Sequence, residues 1–129
     1  LKKSEAIYRS LYQHTSDAVM LLDEKGFFDC NPATLQIFGC STKEQFCAIH
    51  PADVSPEKQS NGQNSMELAN QQIQKAFGEG SNDFEWTHKR LDSQENFEAH
   101  ILLTAMELDG RKFLHAVVRE IPKGKHPES

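Results

Sequence analysis

The spacing of apolar residues changes several times along the chain and predicts an alternation of helices and strands. In residues 1–15 apolar positions recur every three to four residues, which is typical of an amphipathic helix. Two short apolar runs, "DAVMLLD" and "GFFDCN", surround a polar turn and predict a pair of strands. Asn31 followed by Pro32 then predicts the start of a short helix, and Gly39 predicts its end.

The middle of the chain combines helical signals with a long polar stretch. Ser41 and Glu44 form a capping pattern for a second short helix. The stretch "HPADVSPEKQSNGQNS" follows, and its Asn64 or Ser65 is expected to cap the next helix. That helix has an apolar stripe at helical spacing, formed by Met66, Ala69, Ile73, Ala76 and Phe77.

The last third of the chain is predicted to be a set of strands. Gly78 and Gly80 are expected to stop the long helix. Three β-like segments follow, "DFEWTHKRL", "ENFEAHILLTAMEL" and "RKFLHAVVREI". The turn Asp109-Gly110 is a strong hairpin signal, because both residue types tolerate a positive φ. The order of elements indicates the α+β class.

Composition narrows the range of partners. The 129 residues suit one domain, and a net charge of −5 argues against nucleic acid as a partner. The longest apolar run, Ala18 to Leu22, is far too short to span a membrane, and no signal peptide is expected, so we expect no membrane contact by this segment. Three cysteines without a C-x-x-C motif predict free thiols, a cytoplasmic location and no metal site, although a parent protein could be membrane-anchored.

Several stretches together resemble the PAS family of sensor domains. "DCNPATLQIFGCSTKEQF" is similar to the family's entry into its first two helices. The polar stretch, "FEWTHKRLDSQENFEAHILLT" and "AVVREI" resemble one PAS branch found in bacterial multidomain signalling proteins. The resemblance covers about residues 4–121. It implies a five-stranded antiparallel sheet with helices packed on one face and an N-terminal amphipathic helix over 1–15. The PAS domain would span 16–121, and 122–129 would be a linker toward an output domain.

Three departures from the family pattern affect specific segments. The polar stretch keeps the family's glycine but lacks one of its prolines. The turn after Leu91 reads Asp92-Ser93-Gln94 where the family usually has Asp-Gly, so we expect a longer or bulged turn. At the exit of the last strand, Pro122 makes a direct helical continuation doubtful.

The resemblance also implies a site for a small ligand between the sheet and the helices. The residues expected to form it are Phe38, Ile73, Phe77, Trp86, His88 and Leu103. Trp86 could stack on a bound ring or simply fill the core with Phe84, and His88 could bind a ligand carboxylate or cap the sheet edge. On the next strand the His100, Leu102 face and the Ala99, Ile101, Leu103 face are both candidates to line the cavity.

The cofactor of such a site is not identified by the sequence. Haem-binding relatives use a histidine on the long helix, and residues 63–78 contain none. Flavin photosensors carry a cysteine in an Asn-Cys-Arg stretch, which neither Cys30 nor Cys40 reproduces. Haem on the long helix and covalent flavin are therefore both disfavoured.

The remaining expectations concern assembly and signalling. The stripe of Ile7, Tyr8 and Leu11 is expected to form a homodimer or to pack on its own sheet. The signal is expected to leave the domain through Arg119, Glu120 and Ile121.

The leading hypothesis is a regulatory module that binds a small ligand or dimerises and controls an attached histidine kinase, diguanylate cyclase or chemotaxis output. The alternative is a ligand-free scaffold for protein–protein association. An enzyme is not expected from this segment, because the sequence shows no nucleophile with an adjacent base, no paired carboxylates and no phosphate-binding loop. The enzyme alternative would need residues such as His88 and His100 to converge.

Overall fold

The computed structural model describes residues 2–122 of the chain. Leu1 of the predicted helix and residues 123–129 of the predicted linker lie outside the described residues. A 3₁₀ turn, Pro51–Val54, lies within the polar stretch. The other elements are, in order, α1 (Lys2–His14), β1 (Ala18–Asp23), β2 (Gly26–Cys30), α2 (Pro32–Phe38), α3 (Lys43–Cys47), α4 (Ser65–Glu79), β3 (Ser81–Lys89), β4 (Asn96–Leu108) and β5 (Arg111–Glu120).

The five strands form one sheet in the order β2-β1-β5-β4-β3, and all neighbouring pairs are antiparallel. This is the predicted α+β architecture. The β4–β5 hairpin turns at Asp109 and Gly110, whose φ angles of 53° and 78° are the left-handed values that the sequence predicted. The β3–β4 turn is longer, as expected: Gln94 has a φ of 62°, and Leu91 N–H donates to Phe38 O at 2.8 Å.

Strand alternation assigns the two faces of the sheet. Ala99, Ile101 and Leu103 of β4 are buried, whereas His100 and Leu102 are exposed. The buried face is covered by α2, α3, the 3₁₀ turn and α4, and the hydrophobic core lies between them. The sequence left open which face of β4 is turned toward the helices, and the structure shows that it is the face of Ala99.

Asn31 joins the N-terminal helix to the sheet and to α2. It caps α2 as predicted, accepting from Thr34 N–H at 3.1 Å, and its Oδ1 also accepts from Val19 N–H at 3.0 Å. Its Nδ2 donates to Tyr12 O at 2.8 Å and to Asp17 O at 3.0 Å. Since Asn31 is fully buried, water cannot bond to these polar groups, and these four hydrogen bonds satisfy them instead.

Two details of the helices differ from the sequence prediction. The N-cap of α3 is Thr42 rather than Ser41, because Thr42 Oγ1 accepts from Gln45 N–H at 3.1 Å. Ser41 N–H instead donates to the Gln45 side chain at 2.9 Å, so the capping pattern is shifted by one residue. Gly78 lies inside α4, which ends at Gly80 with a φ of 94°.

Met66 was placed in the apolar stripe of α4, and this was wrong. Its side chain is 49% exposed. The inward position of the first turn belongs to Ser65, which is buried and accepts from Gln59 Nε2 at 2.8 Å. Ala69, Ile73, Ala76 and Phe77 do pack against the core, as expected.

Candidate functional site

A cavity of about 60 Å³ lies between α4, the 3₁₀ turn and the inner face of the sheet. Its wall is almost entirely apolar, and all five strands contribute to it. The lining residues are Met20, Leu22, Phe27, Val54, Ser55, Ala69, Ile73, Phe84, Trp86, His88, Ile101, Leu103, Ala116 and Val118. A concave apolar site with two polar side chains is the usual composition of a small-molecule pocket.

His88 is one of the two polar residues in the cavity wall. It is 7% exposed, and its Nδ1 lies 3.0 Å from Val54 O. Burial lowers the pKa of His88 to about 4, opposed only by that backbone hydrogen bond, so the ring is neutral near pH 7. The ring also makes an edge contact with Phe38, with centroids 4.9 Å apart. His88 is therefore a fixed, uncharged wall residue and not a cap at the sheet edge.

Ser55 is the other polar residue in the wall, and it lies in the polar stretch of the sequence. Its Oγ accepts from Trp86 Nε1–H at 2.9 Å, which ties the end of the 3₁₀ turn to β3. Because the indole N–H is satisfied there, Trp86 can be buried while its ring faces the cavity. Trp86 therefore packs in the core and also lines the cavity, and its stacking on a bound ring stays a prediction. The polar stretch contributes wall residues as well as the connection between helices.

Four of the six predicted ligand residues line the cavity: Ile73, Trp86, His88 and Leu103. The other two do not. Phe38 is fully buried behind His88, and Phe77 packs at the margin of the core.

The sequence analysis did not identify most of the apolar residues that line the cavity, although the alternation of two strands indicates some of them. Period-two alternation in β1 and β5 would have assigned Met20, Leu22, Ala116 and Val118 to the inner face. No local signal marks Ser55, since its role depends on Trp86, which lies 31 residues further along the chain.

A short series of contacts leads from the cavity to the end of β5. The rings of His88 and Phe97 lie 5.6 Å apart, and the Arg90 guanidinium lies 4.2 Å above the Phe97 ring. Arg90 Nη2 donates to Glu120 Oε2 at 2.9 Å, and Nη1 donates to Ile37 O at 2.6 Å. Arg90 therefore joins β3, the end of α2 and the last residue of β5.

The three predicted exit residues are each held to another part of the domain. Arg119 Nη2 donates to Asp17 Oδ2 at 2.9 Å, just before β1. Ile121 N–H donates to Glu98 O at 2.8 Å, which extends the β4–β5 pairing beyond Glu120. The start and the end of the sheet thus meet at this exit.

The apolar stripe of α1 is divided between two environments. Ile7 and Leu11 are 63% and 65% exposed, whereas Tyr12 is buried. Tyr8 is half-exposed, and its ring lies 6.2 Å from that of His115 on the outer face of the sheet. The helix therefore packs on its own sheet through its tyrosines and leaves Ile7 and Leu11 at the surface.

The two histidines that an enzyme was expected to bring together do not converge. His88 lies on the inner face of the sheet, and His100 is exposed on the outer face, 3.3 Å from Asp83. Burial raises the pKa of the Cys30 thiol to about 12, which makes it a poor nucleophile. No group of three metal-ligating side chains occurs among residues 2–122.

None of the helices within residues 2–122 combines the length and the apolar character that crossing a bilayer requires.

A family model described as "PAS domain" matches residues 6–69, about half of the chain. No curated protein shows significant sequence similarity to it.

Solved structures share the fold over nearly the whole chain. A PAS domain of a two-component sensor histidine kinase is 19% identical, covers 93% of this chain and 98% of its own, and has a TM-score of 0.72. The PAS domain of a protein from Colwellia psychrerythraea is 15% identical with the same coverage and a TM-score of 0.77. A PAS domain in complex with ethanol, from a LuxR-family transcriptional regulator of Burkholderia thailandensis, is 16% identical, covers 88% of this chain and 96% of its own, and has a TM-score of 0.67.

The strand order, the helices over one sheet face and the Asn31 entry to α2 agree with the family match. On this evidence the chain belongs to the PAS domain family.

Proposed function

We propose that this PAS domain is a cytoplasmic sensory module in which a small molecule occupies the cavity and its presence is transmitted to an attached output domain. A histidine kinase or a diguanylate cyclase would suit that role. The observation that carries the proposal is the apolar cavity on the inner sheet face, with the buried side chain of His88 in its wall. The structural relative from Burkholderia was solved with ethanol, a molecule of suitable size for such a cavity.

The chemistry of the wall argues against two large cofactors. The lining residues include no cysteine, and α4 contributes Ala69 and Ile73 rather than a histidine. Both points support the expectation that neither haem on α4 nor covalent flavin is bound.

The path to the output domain runs through Arg90. A ligand that displaces His88 also changes the position of Phe97, whose ring supports the Arg90 guanidinium. Since Arg90 bonds both Glu120 and the last turn of α2, its movement alters how the end of β5 is held. We infer that ligand occupancy shifts the equilibrium between two arrangements of this exit.

The proposal can be tested on the purified 129-residue chain by nuclear magnetic resonance during an ethanol titration. We expect methyl signals of Ile73 and Leu103 to shift, together with the amide signals of Glu120 and Ile121. Ala69→Met, which fills the cavity, should remove both responses, whereas Asn70→Met on the exposed side of α4 should keep them. Cavity shifts without any change at Glu120 or Ile121 would refute the transmission step.

A second candidate is the ligand-free scaffold that acts through a homodimer. The exposed Ile7 and Leu11 favour it, because large apolar side chains at 63% and 65% exposure gain from being covered. The two functions are compatible, since the cavity and the α1 surface lie on opposite sides of the sheet. The scaffold alone would be favoured if no compound entered the cavity and the dimer persisted.

A further inference from the structure

The hydrogen-bonding state of His88 is fixed by a residue far away in the sequence. Val54 O can only accept a hydrogen bond, so Nδ1 of His88, 3.0 Å away, must carry the proton. In a neutral imidazole the other nitrogen is then an acceptor. His88 Nε2 is that atom, and it has no hydrogen-bond partner among the described residues.

The lone pair of Nε2 is buried in apolar surroundings, so water does not solvate it and a ligand could bond to it. His88 is 7% exposed and lies in the apolar wall of the cavity, and its partner on the adjacent strand is the buried Phe97. A buried acceptor without a partner is unfavourable by an amount comparable to a lost hydrogen bond. A molecule that brings a donor into the cavity removes that penalty.

We propose that Nε2 of His88 accepts a hydrogen bond from the ligand, so that the ligand is a small, uncharged, largely apolar molecule with one O–H or N–H donor. This inference rests on the proposed ligand-binding function of the cavity and specifies its chemistry. Short alcohols belong to this class.

Size and charge restrict the ligand further. The cavity, of about 60 Å³, restricts the ligand to a small molecule. A carboxylate is excluded, because its oxygens only accept and would face the Nε2 lone pair. Its charge would also lose its hydration among apolar side chains. The sequence-based idea that His88 binds a ligand carboxylate is replaced by a donor on the ligand.

The test compares two probes that differ in the donor, 1-propanol and 1-fluoropropane, on the unmodified 129-residue chain. Binding is followed by the methyl signals of Ile101 and Leu103, and hydrogen bonding by the ¹⁵N signal of His88 Nε2. We expect 1-propanol to bind about tenfold more tightly than 1-fluoropropane, which corresponds to one buried hydrogen bond. We also expect only 1-propanol to move the Nε2 signal upfield.

Two variants refine the test. His88→Leu should bind both probes with similar affinity, while His100→Leu, on the outer face of the sheet, should keep the preference for 1-propanol. The comparison of the two probes on the unmodified chain needs no substitution, so it decides the proposal even if His88→Leu does not fold.

The outcomes separate this inference from the proposed function. If both probes shift the cavity methyl groups equally and Nε2 does not respond, the cavity binds ligands but the role of His88 as acceptor is refuted. If neither probe shifts the cavity signals at saturating concentration, the inference and the ligand-binding function fail together.

Discussion

The side-chain amide of Gln59 forms two hydrogen bonds with the backbone of Thr87, as a neighbouring strand would. Its Nε2 donates to Thr87 O at 3.1 Å, and its Oε1 accepts from Thr87 N–H at 2.8 Å. Strand β3 lies at the edge of the sheet, so these backbone groups have no partner strand. The polar stretch thus pairs part of the exposed edge that could otherwise associate with another chain.

We predict that Gln59→Ala lowers the free energy of unfolding by about 2–3 kcal/mol, because it leaves two backbone groups of Thr87 unpaired at a buried position. Urea denaturation measures the change. Gln63→Ala is the matched control: this glutamine is exposed, and its loss should cost less than about 0.5 kcal/mol. Equal effects of the two changes would contradict the pairing role of Gln59.

Asn31 and Asn64 both cap helices, and we predict very different effects of replacing them by alanine. Asn64 is exposed and accepts one bond, from Glu67 N–H at 3.1 Å, so its loss should cost about 1 kcal/mol. Asn31→Ala should cost about 3 kcal/mol or more, because Tyr12 O and Asp17 O also lose their donor in a buried site.

The difference should appear in chemical denaturation and, for Asn31→Ala, in faster hydrogen exchange of α1 amides. A cost for Asn31→Ala no larger than that of Asn64→Ala would show that the bonds to Tyr12 and Asp17 do not hold α1.

Stability should fall as the pH is lowered from about 6.5 toward 4. The unfolded chain protonates His88 at its ordinary pKa of 6.5, whereas burial lowers the pKa of His88 in the folded domain to about 4. The unfolded state therefore binds more protons in this range, which removes about 3 kcal/mol of folding free energy in total. Above pH 7 this contribution is constant.

Urea denaturation at several pH values between 6.5 and 4.5 measures this slope. His88→Leu should flatten it. Burial also lowers the pKa of His115, in the same direction, so His115→Gln should reduce the slope by a smaller amount. A slope that is unchanged in His88→Leu would contradict the burial of a neutral ring.

The exposed residues of α1 should control self-association. We predict a concentration-dependent dimer in sedimentation velocity that Leu11→Glu abolishes, because a carboxylate would have to be buried in an apolar contact. Leu108→Glu is the matched control, since Leu108 is 66% exposed in the β4–β5 region and is distant in sequence from α1. If Leu108→Glu dissociates the dimer and Leu11→Glu does not, the interface lies at that end of the sheet instead.

The sequence was sufficient for the elements whose signals are local. Asn31, Pro32 and Gly39 define α2 because capping, the fixed φ of proline and the positive φ of glycine act within one helical turn. The alternation of β4 likewise separates Ala99 and Ile101 from His100 and Leu102, because successive side chains of a strand point to opposite faces.

The prediction failed where two local patterns compete or where a distant partner decides between them. Met66 fits the stripe of α4 by spacing, but the bond from Gln59 places Ser65 inward. Phe38 was predicted to contact the ligand, but it packs against His88, and it is His88 that lines the cavity.

The sequence by itself determined the order of helices and strands along the chain, the residues that begin and end α2 and the two faces of each strand, since these depend on neighbours within a few residues. Only the tertiary structure decided which face is covered, which atoms line the cavity and which nitrogen of His88 carries a proton. Val54 lies 34 residues from His88, and the carbonyl that fixes the ring reaches it only once the 3₁₀ turn packs against β3. The chemistry of this site is set by contacts between distant segments, which local spacing does not encode.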